Sequence, residues 1–102
     1  MKVIKVTYTV EATFAKKNQE NIQAFINDLQ QLNHSGLRYH IYMAADGKTF
    51  FHFAEYNNDN AQKTLLELPS FISFQQQRDQ HLESEPTIEP MQFVDATYTI
   101  FN

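Results

Sequence analysis

Four histidines, His34, His40, His52 and His81, are the side chains of this sequence best suited to acid–base chemistry near neutral pH. His52 stands apart because it lies inside an apolar and aromatic run, Phe50 to Tyr56. A neutral imidazole there could take a proton from an acidic phenol or anthrone, leaving a carbanion that reduces dioxygen without a cofactor. The alternative is a hydrogen-bonded histidine of the core.

Five further side chains could complete a binding site around His52. Tyr8 and Tyr39 carry hydroxyls that could bind a substrate oxygen, and Phe71 and Phe74 supply apolar surface. Arg78 lies on the same predicted helix as the two phenylalanines and could hold an anionic group at a cavity mouth. Each also has a structural alternative, as a packing aromatic or as a solvated helix flank.

The sequence predicts neither a metal site nor a cofactor site. Its histidines do not have the H-x-x-x-H spacing that places two ligands on one helix face, and it has no cysteine. The two glycines, Gly36 and Gly47, fall at predicted turns and do not form a phosphate-binding loop.

Length and composition predict a single domain over residues 1–102. The formal net charge of -4 argues against nucleic acid and anionic membranes as partners, because both attract basic surfaces. The chain has no run of about 18 apolar residues that could span a membrane. Its N-terminus does not have the apolar core of a signal peptide, so we expect a cytoplasmic protein.

The residues that could do chemistry must be positioned by an alternating pattern of strands and helices. Apolar residues alternate with polar ones from Val3 to Val10, which predicts a strand with one apolar face. From Lys16 to Asn33 they recur every three or four positions, which predicts an amphipathic helix. Gly36 is expected to end this helix in the left-handed conformation.

A β-hairpin is predicted next, with strands Leu37–Ala44 and Thr49–Tyr56 and Asp46-Gly47 as a two-residue turn. This turn sets Arg38 opposite Glu55, as a structural charge pair, and Ile41 opposite His52. Both faces of the hairpin are then largely apolar. One face carries Tyr39, Ile41, Met43, Phe50, Ala54 and Tyr56, and the other carries Tyr42, Ala44, Phe51 and Phe53.

Two helical stretches are predicted after the hairpin. The side chains of Asn57–Asn60 can cap a short helix through Ala61, Leu65 and Leu68. Pro69 interrupts it, Ser70 is expected to cap again, and a second stretch runs from Phe71 through Leu82 and ends before Pro86.

The end of the chain is rich in residues that favour strands. Ile88 to Val94 is predicted to be a strand, with Pro90 at an edge or a bulge. The segment Ala96 to Phe101 is too apolar to extend freely into water. We expect it to pair with another strand, and a partner subunit could supply that strand.

The element order β-α-β-β-α-β predicts an α+β, ferredoxin-like fold, with a four-stranded antiparallel sheet and two helices on one face. The other sheet face would expose Tyr42, Phe51 and Phe53 as an apolar patch, and such patches mark interfaces. We therefore expect a homodimer in which two helix-free sheet faces pack together.

Three short motifs carry a resemblance to a known family: Phe50–Tyr56, Asn58–Ala61 and Leu68–Phe71 followed by Phe74. In order and spacing they resemble the antibiotic biosynthesis monooxygenase family of the dimeric α+β barrel superfamily. The resemblance implies a small cofactor-independent monooxygenase with an aromatic or quinol-like substrate. Its cavity would lie between sheet and helices, lined by Tyr8, Tyr39, His52, Phe71 and Phe74, with His52 as the base.

The sequence also departs from the family pattern. Leu66 and Ser70 stand where members often carry histidines. The chain has no Trp and the first strand has no Asn, which argues against the haem-degrading branch. Two alternatives therefore stay open: a binding module for a small apolar or aromatic metabolite, and a structural dimer whose cavity is filled by its own aromatic side chains.

Overall fold

The computed structural model describes residues 1–101, in which the helices and strands follow the predicted order. The elements are β1 (Lys2–Thr9), a 3-10 turn (Ala12–Phe14), α1 (Ala15–Leu32), β2 (Leu37–Met43), β3 (Thr49–Tyr56), α2 (Asp59–Leu66), α3 (Pro69–Asp79) and β4 (Thr87–Met91). The strands form one antiparallel sheet in the order β2-β3-β1-β4. The predicted ferredoxin-like α+β fold is confirmed.

The predicted register of the hairpin is also confirmed. Arg38 lies opposite Glu55, and Ile41 lies opposite His52. On the other side of β3, His52 lies opposite Val6 of β1. Since side chains alternate along a strand, this register fixes which residues face the helices and which lie on the helix-free face.

The turn of the hairpin is longer than predicted. The Ala44 N–H donates to the Thr49 carbonyl at 2.9 Å, and this hydrogen bond closes a loop of four residues, Ala45–Lys48. The Asp46 carboxylate accepts hydrogen bonds from the N–H groups of Lys48 and Thr49, both at 2.9 Å, so these groups have partners outside the ladder. One residue is added on each side of the predicted turn, and the register is therefore unchanged.

Helix α1 ends at a different residue from the one predicted. Asn33 has the left-handed conformation, with φ at 48°, and its N–H donates to the Leu29 carbonyl at 3.0 Å. Asparagine tolerates this conformation because its short polar side chain bonds locally. Gly36 does not have a positive φ, and it packs closely against the side chains of His34 and Asn58.

The junction of α2 and α3 also differs from the prediction. Pro69 lies in the first turn of α3, where its missing N–H is tolerated, and Leu68 is the N-cap residue. Ser70 therefore does not cap, and its hydroxyl is buried without a partner among residues 1–101. Helix α3 ends at Asp79, whereas Leu82 forms a β-bridge with Val10.

Asn58 caps α2 as the sequence suggests, because its side-chain oxygen accepts a hydrogen bond from the Ala61 N–H at 2.9 Å. We expect Asn58→Ala to lower the free energy of unfolding by about 1 kcal/mol, the usual loss for an N-cap replaced by Ala. Urea unfolding measures the change. Asn57→Ala, at an exposed neighbour whose side chain does not cap, is the control and should stay near wild type.

The C-terminal segment is not a strand. β4 ends at Met91, three residues earlier than predicted, and residues 92–101 cross the helix-free face of the sheet. Tyr98 and Ile100 lie near His40 and Glu55 on that face. The predicted pairing with another strand does not occur within this single chain.

The core lies between the sheet and the helices and is dominated by aromatic rings. Its most buried large side chains include Phe25 of α1, Phe50 of β3, Leu65 of α2 and Phe74 of α3. In the part of the chain that the structure describes, no helix has the length and hydropathy needed to cross a membrane.

Candidate functional site

A chain of four hydrogen-bonded side chains runs through the core beneath the helices. The Asn18 amide donates to the Tyr8 hydroxyl at 2.9 Å, and that hydroxyl lies 2.7 Å from His52 Nε2. On the other side of the imidazole, the Tyr39 hydroxyl lies 2.7 Å from His52 Nδ1. The structure thus brings three of the predicted site residues into direct contact.

The sheet register explains why these side chains meet. Tyr8 pairs with Phe50, and Tyr39 pairs with Ala54, each two residues away from His52 along β3. Both tyrosines are therefore diagonal neighbours of His52 on the helix-covered face, at a distance that long aromatic side chains can bridge. They approach the imidazole from the two strands that flank β3.

Burial keeps the three ionisable side chains of this hydrogen-bonded network, Tyr8, His52 and Tyr39, uncharged. His52 is only 2% exposed, and burial, with the nearby positive charge of Arg78, lowers its pKa to about 3. Burial raises the pKa of Tyr8 and that of Tyr39 well above the ordinary tyrosine value. At neutral pH the network therefore presents hydrogen-bond dipoles and no net charge.

The donors and acceptors can be ordered along the chain. Tyr8 accepts from Asn18, and within residues 1–101 its O–H has no acceptor other than His52 Nε2, so we assign the Tyr8 proton to that hydrogen bond. The neutral imidazole then carries its proton on Nδ1 and donates it to the Tyr39 oxygen. The Tyr39 proton is left to donate to a further acceptor.

Aromatic rings fill the space that the sequence predicted to be an open cavity. The ring centroid of Phe74 lies 5.4 Å from that of His52, and Phe25 lies 5.0 Å from Phe74 and 5.1 Å from Phe71. The predicted lining residues Tyr8, His52, Phe71 and Phe74 are all buried. At the position predicted for the cavity these side chains form a packed cluster, and Phe25 contributes a ring that is not among the predicted lining residues.

Arg78 is part of this cluster and not a solvated flank. Its guanidinium carbon lies 5.3 Å from the centroid of the Tyr8 ring and 5.5 Å from that of Phe74, as in cation–π contacts. The guanidinium also donates to the Asp79 carboxylate, at 2.9 Å from Nη2. The side chain is only 12% exposed.

Tyr39, the last side chain of the hydrogen-bonded network, lines a cavity of about 230 Å³ at the edge of β2. This cavity, called here the edge cavity, lies between the C-terminal half of α1 and the start of β2. Its lining is Ile26, Leu29, Gln30, Asn33, His34, Leu37, Arg38 and Tyr39. Its lining combines the apolar side chains of Ile26, Leu29 and Leu37 with polar ones and contains no acidic side chain, so it suits a small aromatic molecule with oxygen substituents.

Two contributors to the cluster, Asn18 and Phe25, are not among the predicted site residues. Phe25 belongs to the apolar stripe of α1, but spacing alone does not indicate that it reaches His52. Asn18 is fully buried, and its position one turn before Ile22 on that stripe is the signal that could have identified it. Within residues 1–101, no group of three histidine or acidic side chains could hold a metal ion.

Comparison with known proteins gives a fold and little sequence similarity. The sequence matches no protein-family model and no curated protein. A solved structure named antibiotic biosynthesis monooxygenase superimposes with a TM-score of 0.75 at 11% identity, covering 93% of this chain and 100% of that one. The chain has the fold of the antibiotic biosynthesis monooxygenases.

Two further structures with this fold agree. Rv0793 from Mycobacterium tuberculosis gives a TM-score of 0.77 at 16% identity, with 95% of this chain and 98% of that chain covered. A Nitrosomonas europaea protein, provisionally assigned as an antibiotic biosynthesis monooxygenase, gives 0.77 at 15% identity, with 93% and 100% covered. The monooxygenase fold thus spans nearly the whole chain, as the sequence motifs predict.

Proposed function

We propose that the protein is a small cofactor-independent monooxygenase that acts on a phenolic, anthrone-like or quinol-like substrate at the edge cavity. The observation that carries this proposal is the hydrogen-bonded chain Tyr8–His52–Tyr39, whose last member lines that cavity. The fold shared with proteins named for this activity supports it. Because fold does not determine function, the site must carry the argument.

Tyr39 is the catalytic residue in this proposal. The Tyr39 O–H donates to the substrate oxygen and stabilises the phenolate or enolate as negative charge develops, as donors of an oxyanion hole do. Dioxygen then oxidises this anion. In an anthrone both C–H bonds of the reacting CH₂ group break, and in a phenol or naphthol one ring C–H bond and the O–H bond break. One oxygen atom becomes the new carbonyl of the product and the other leaves as water with the two hydrogens, the first of which passes to solvent when the anion forms. The raised pKa of Tyr39 keeps the donor protonated throughout.

His52 acts as a positioning residue and not as the base that the sequence suggests. A phenol has a pKa of about 10, so transferring its proton to an imidazole whose pKa is about 3 would cost about 10 kcal/mol. His52 instead donates from Nδ1 and fixes the Tyr39 oxygen. Phe71 and Phe74 hold the rings in place, and Arg78 packs over Tyr8.

Oxygen consumption tests the proposal. Purified protein treated with chelator is mixed with a panel of anthrones, naphthols and hydroquinones in an oxygen-electrode cell, with boiled protein as the control. We expect uptake above the control for at least one compound, together with a carbonyl product. Binding of several panel compounds without any uptake would contradict the monooxygenase proposal.

A binding module is the second candidate, and the buried, uncharged His52 favours it, because the site then offers no base to a reacting substrate. In that case a naphthol would raise the thermal unfolding midpoint by mass action without consuming oxygen. The same panel therefore distinguishes the two functions, provided that binding and uptake are measured on one preparation.

We also propose a homodimer formed through the helix-free sheet face. Tyr42 is 60% exposed there, beside Phe51 and Phe53. Tyr42 and Phe51 lie toward the hairpin turn, whereas Phe53 borders the end of the face that residues 92–101 cover. A second sheet packed on it would bury the patch, and the strand-favouring segment Ala96–Phe101 is available to contact the partner.

Phe51→Glu tests the dimer. We expect it to yield monomers or aggregates, because a carboxylate would be buried in the interface without a partner. Sedimentation velocity measures the state. Ile72→Glu makes the same change at a partly exposed site on α3 and should leave the dimer intact. A well-behaved Phe51→Glu dimer would show that the interface lies elsewhere.

A further inference from the structure

Arg38 and Glu55 face each other across β2 and β3, yet their side chains do not bond to each other. Arg38 Nη1 donates to the Leu37 carbonyl at 2.9 Å and to the Ser35 carbonyl at 3.4 Å. The guanidinium carbon lies 5.2 Å from the Phe101 ring centroid, within cation–π range. The predicted charge pair is thus confirmed in register but not in side-chain contact.

Each of these two charges has hydrogen-bonding capacity left over. All hydrogen bonds of Arg38 within residues 1–101 come from Nη1, which leaves Nε and Nη2 for another acceptor. The Glu55 side chain is only 11% exposed, and a carboxylate oxygen lies 3.9 Å from His40 Nδ1. The Glu55 carboxylate accepts no hydrogen bond within residues 1–101, so both of its oxygens can accept donors from a ligand.

Both charges line the same cavity, which has a volume of about 250 Å³ and is called here the tail cavity. Its floor is the helix-free face at Arg38, His40 and Glu55, and its wall is the segment Tyr98–Ile100. The wall supplies an aromatic ring, a hydroxyl and an aliphatic side chain. The cavity lies at the end of the sheet face away from Tyr42 and Phe51, next to Phe53.

We propose that the tail cavity binds a free α-amino acid in its zwitterionic form. The ligand carboxylate pairs with Nε and Nη2 of Arg38, a fork geometry that matches a carboxylate. The ligand ammonium pairs with Glu55, and its side chain packs on Tyr98 and Ile100. A ligand with only one of the two charges would leave the other protein charge unsatisfied, so both are required. This inference does not depend on the proposed oxygenase activity.

Calorimetric titration of the full chain tests the inference with L-leucine and L-phenylalanine as probes. We expect binding of at least one of them. N-acetyl-L-phenylalanine has no ammonium and L-phenylalanine amide has no carboxylate, so each should bind at least tenfold more weakly than L-phenylalanine. N-acetyl-L-leucine and L-leucine amide serve in the same way for L-leucine. These comparisons use the wild-type protein and cannot fail through misfolding.

Variants assign the binding to the two residues. Arg38→Gln and Glu55→Gln should each weaken binding at least tenfold. Lys48→Gln and Glu83→Gln remove a charge pair that is already closed at 2.7 Å elsewhere on the surface, and they should leave binding unchanged. Absence of binding by both amino acids, or equal binding of the blocked compounds, would overturn the proposal and leave Arg38 and Glu55 as structural groups.

Discussion

Lowering the pH from neutral to about 3 is expected to lower the free energy of unfolding by up to about 5 kcal/mol through His52 alone. Burial depresses the pKa of His52 from 6.5 in the unfolded chain to about 3 in the fold. The neutral imidazole therefore contributes its full stabilisation above pH 6.5, and this stabilisation is lost as the pH falls toward 3. Each unit of difference corresponds to about 1.4 kcal/mol.

Urea unfolding at a series of pH values measures this effect. His52→Gln keeps a side chain that can bond to the tyrosines but does not titrate, so it is the matched variant. We expect it to be less stable than wild type at neutral pH and to show a smaller loss of stability on acidification. Parallel pH profiles for the two proteins would show that His52 does not titrate abnormally.

Tyr39→Phe is expected to lower kcat for oxygen consumption about 100-fold, the usual effect of removing one oxyanion-hole donor. KM should change little, because the lost hydrogen bond is stronger in the transition state than in the bound substrate. The variant also leaves the His52 Nδ1–H buried without its partner, which should lower stability by about 1–3 kcal/mol. Circular dichroism must therefore confirm that the variant is folded at the assay temperature.

Two control variants separate catalysis from stability. Tyr8→Phe removes the hydrogen bond at the other ring nitrogen of His52 and should lower stability to a similar extent, with a smaller effect on kcat. Tyr56→Phe alters a buried tyrosine outside the hydrogen-bonded chain and should leave kcat unchanged. Equal kcat in Tyr39→Phe and wild type would remove Tyr39 from the reaction.

The sheet could be predicted from the sequence because its signals are local. The alternation of apolar and polar residues in β1 to β3 shows which side chains share a face. A turn centred on Asp46-Gly47 gives the same strand register whether its loop has two residues or four. This register already places Tyr39 and His52 on one face. Their meeting with Tyr8 then requires only the strand order, which the ferredoxin-like fold supplies.

The packing around His52, the role of Asn18 and the path of residues 92–101 could not be predicted, because they depend on contacts between residues distant in sequence. Around His52, Phe25 places its ring between α3 and the sheet, and periodicity gives the face of a side chain but not its depth. Asn18 was missed because one buried amide on an apolar stripe has no sequence signature of its partner. The path of residues 92–101 was missed because strand propensity does not indicate a strand's partner.

The most direct test of the central claim is the protonation state of His52, measured by long-range ¹H–¹⁵N correlation spectroscopy of the imidazoles, with His52→Gln to assign the signals. We expect a neutral ring with its proton on Nδ1, unchanged from neutral pH down to about pH 4. A His52 ring that titrates near its ordinary pKa of 6.5 would contradict the neutral chain and restore His52 as the candidate base.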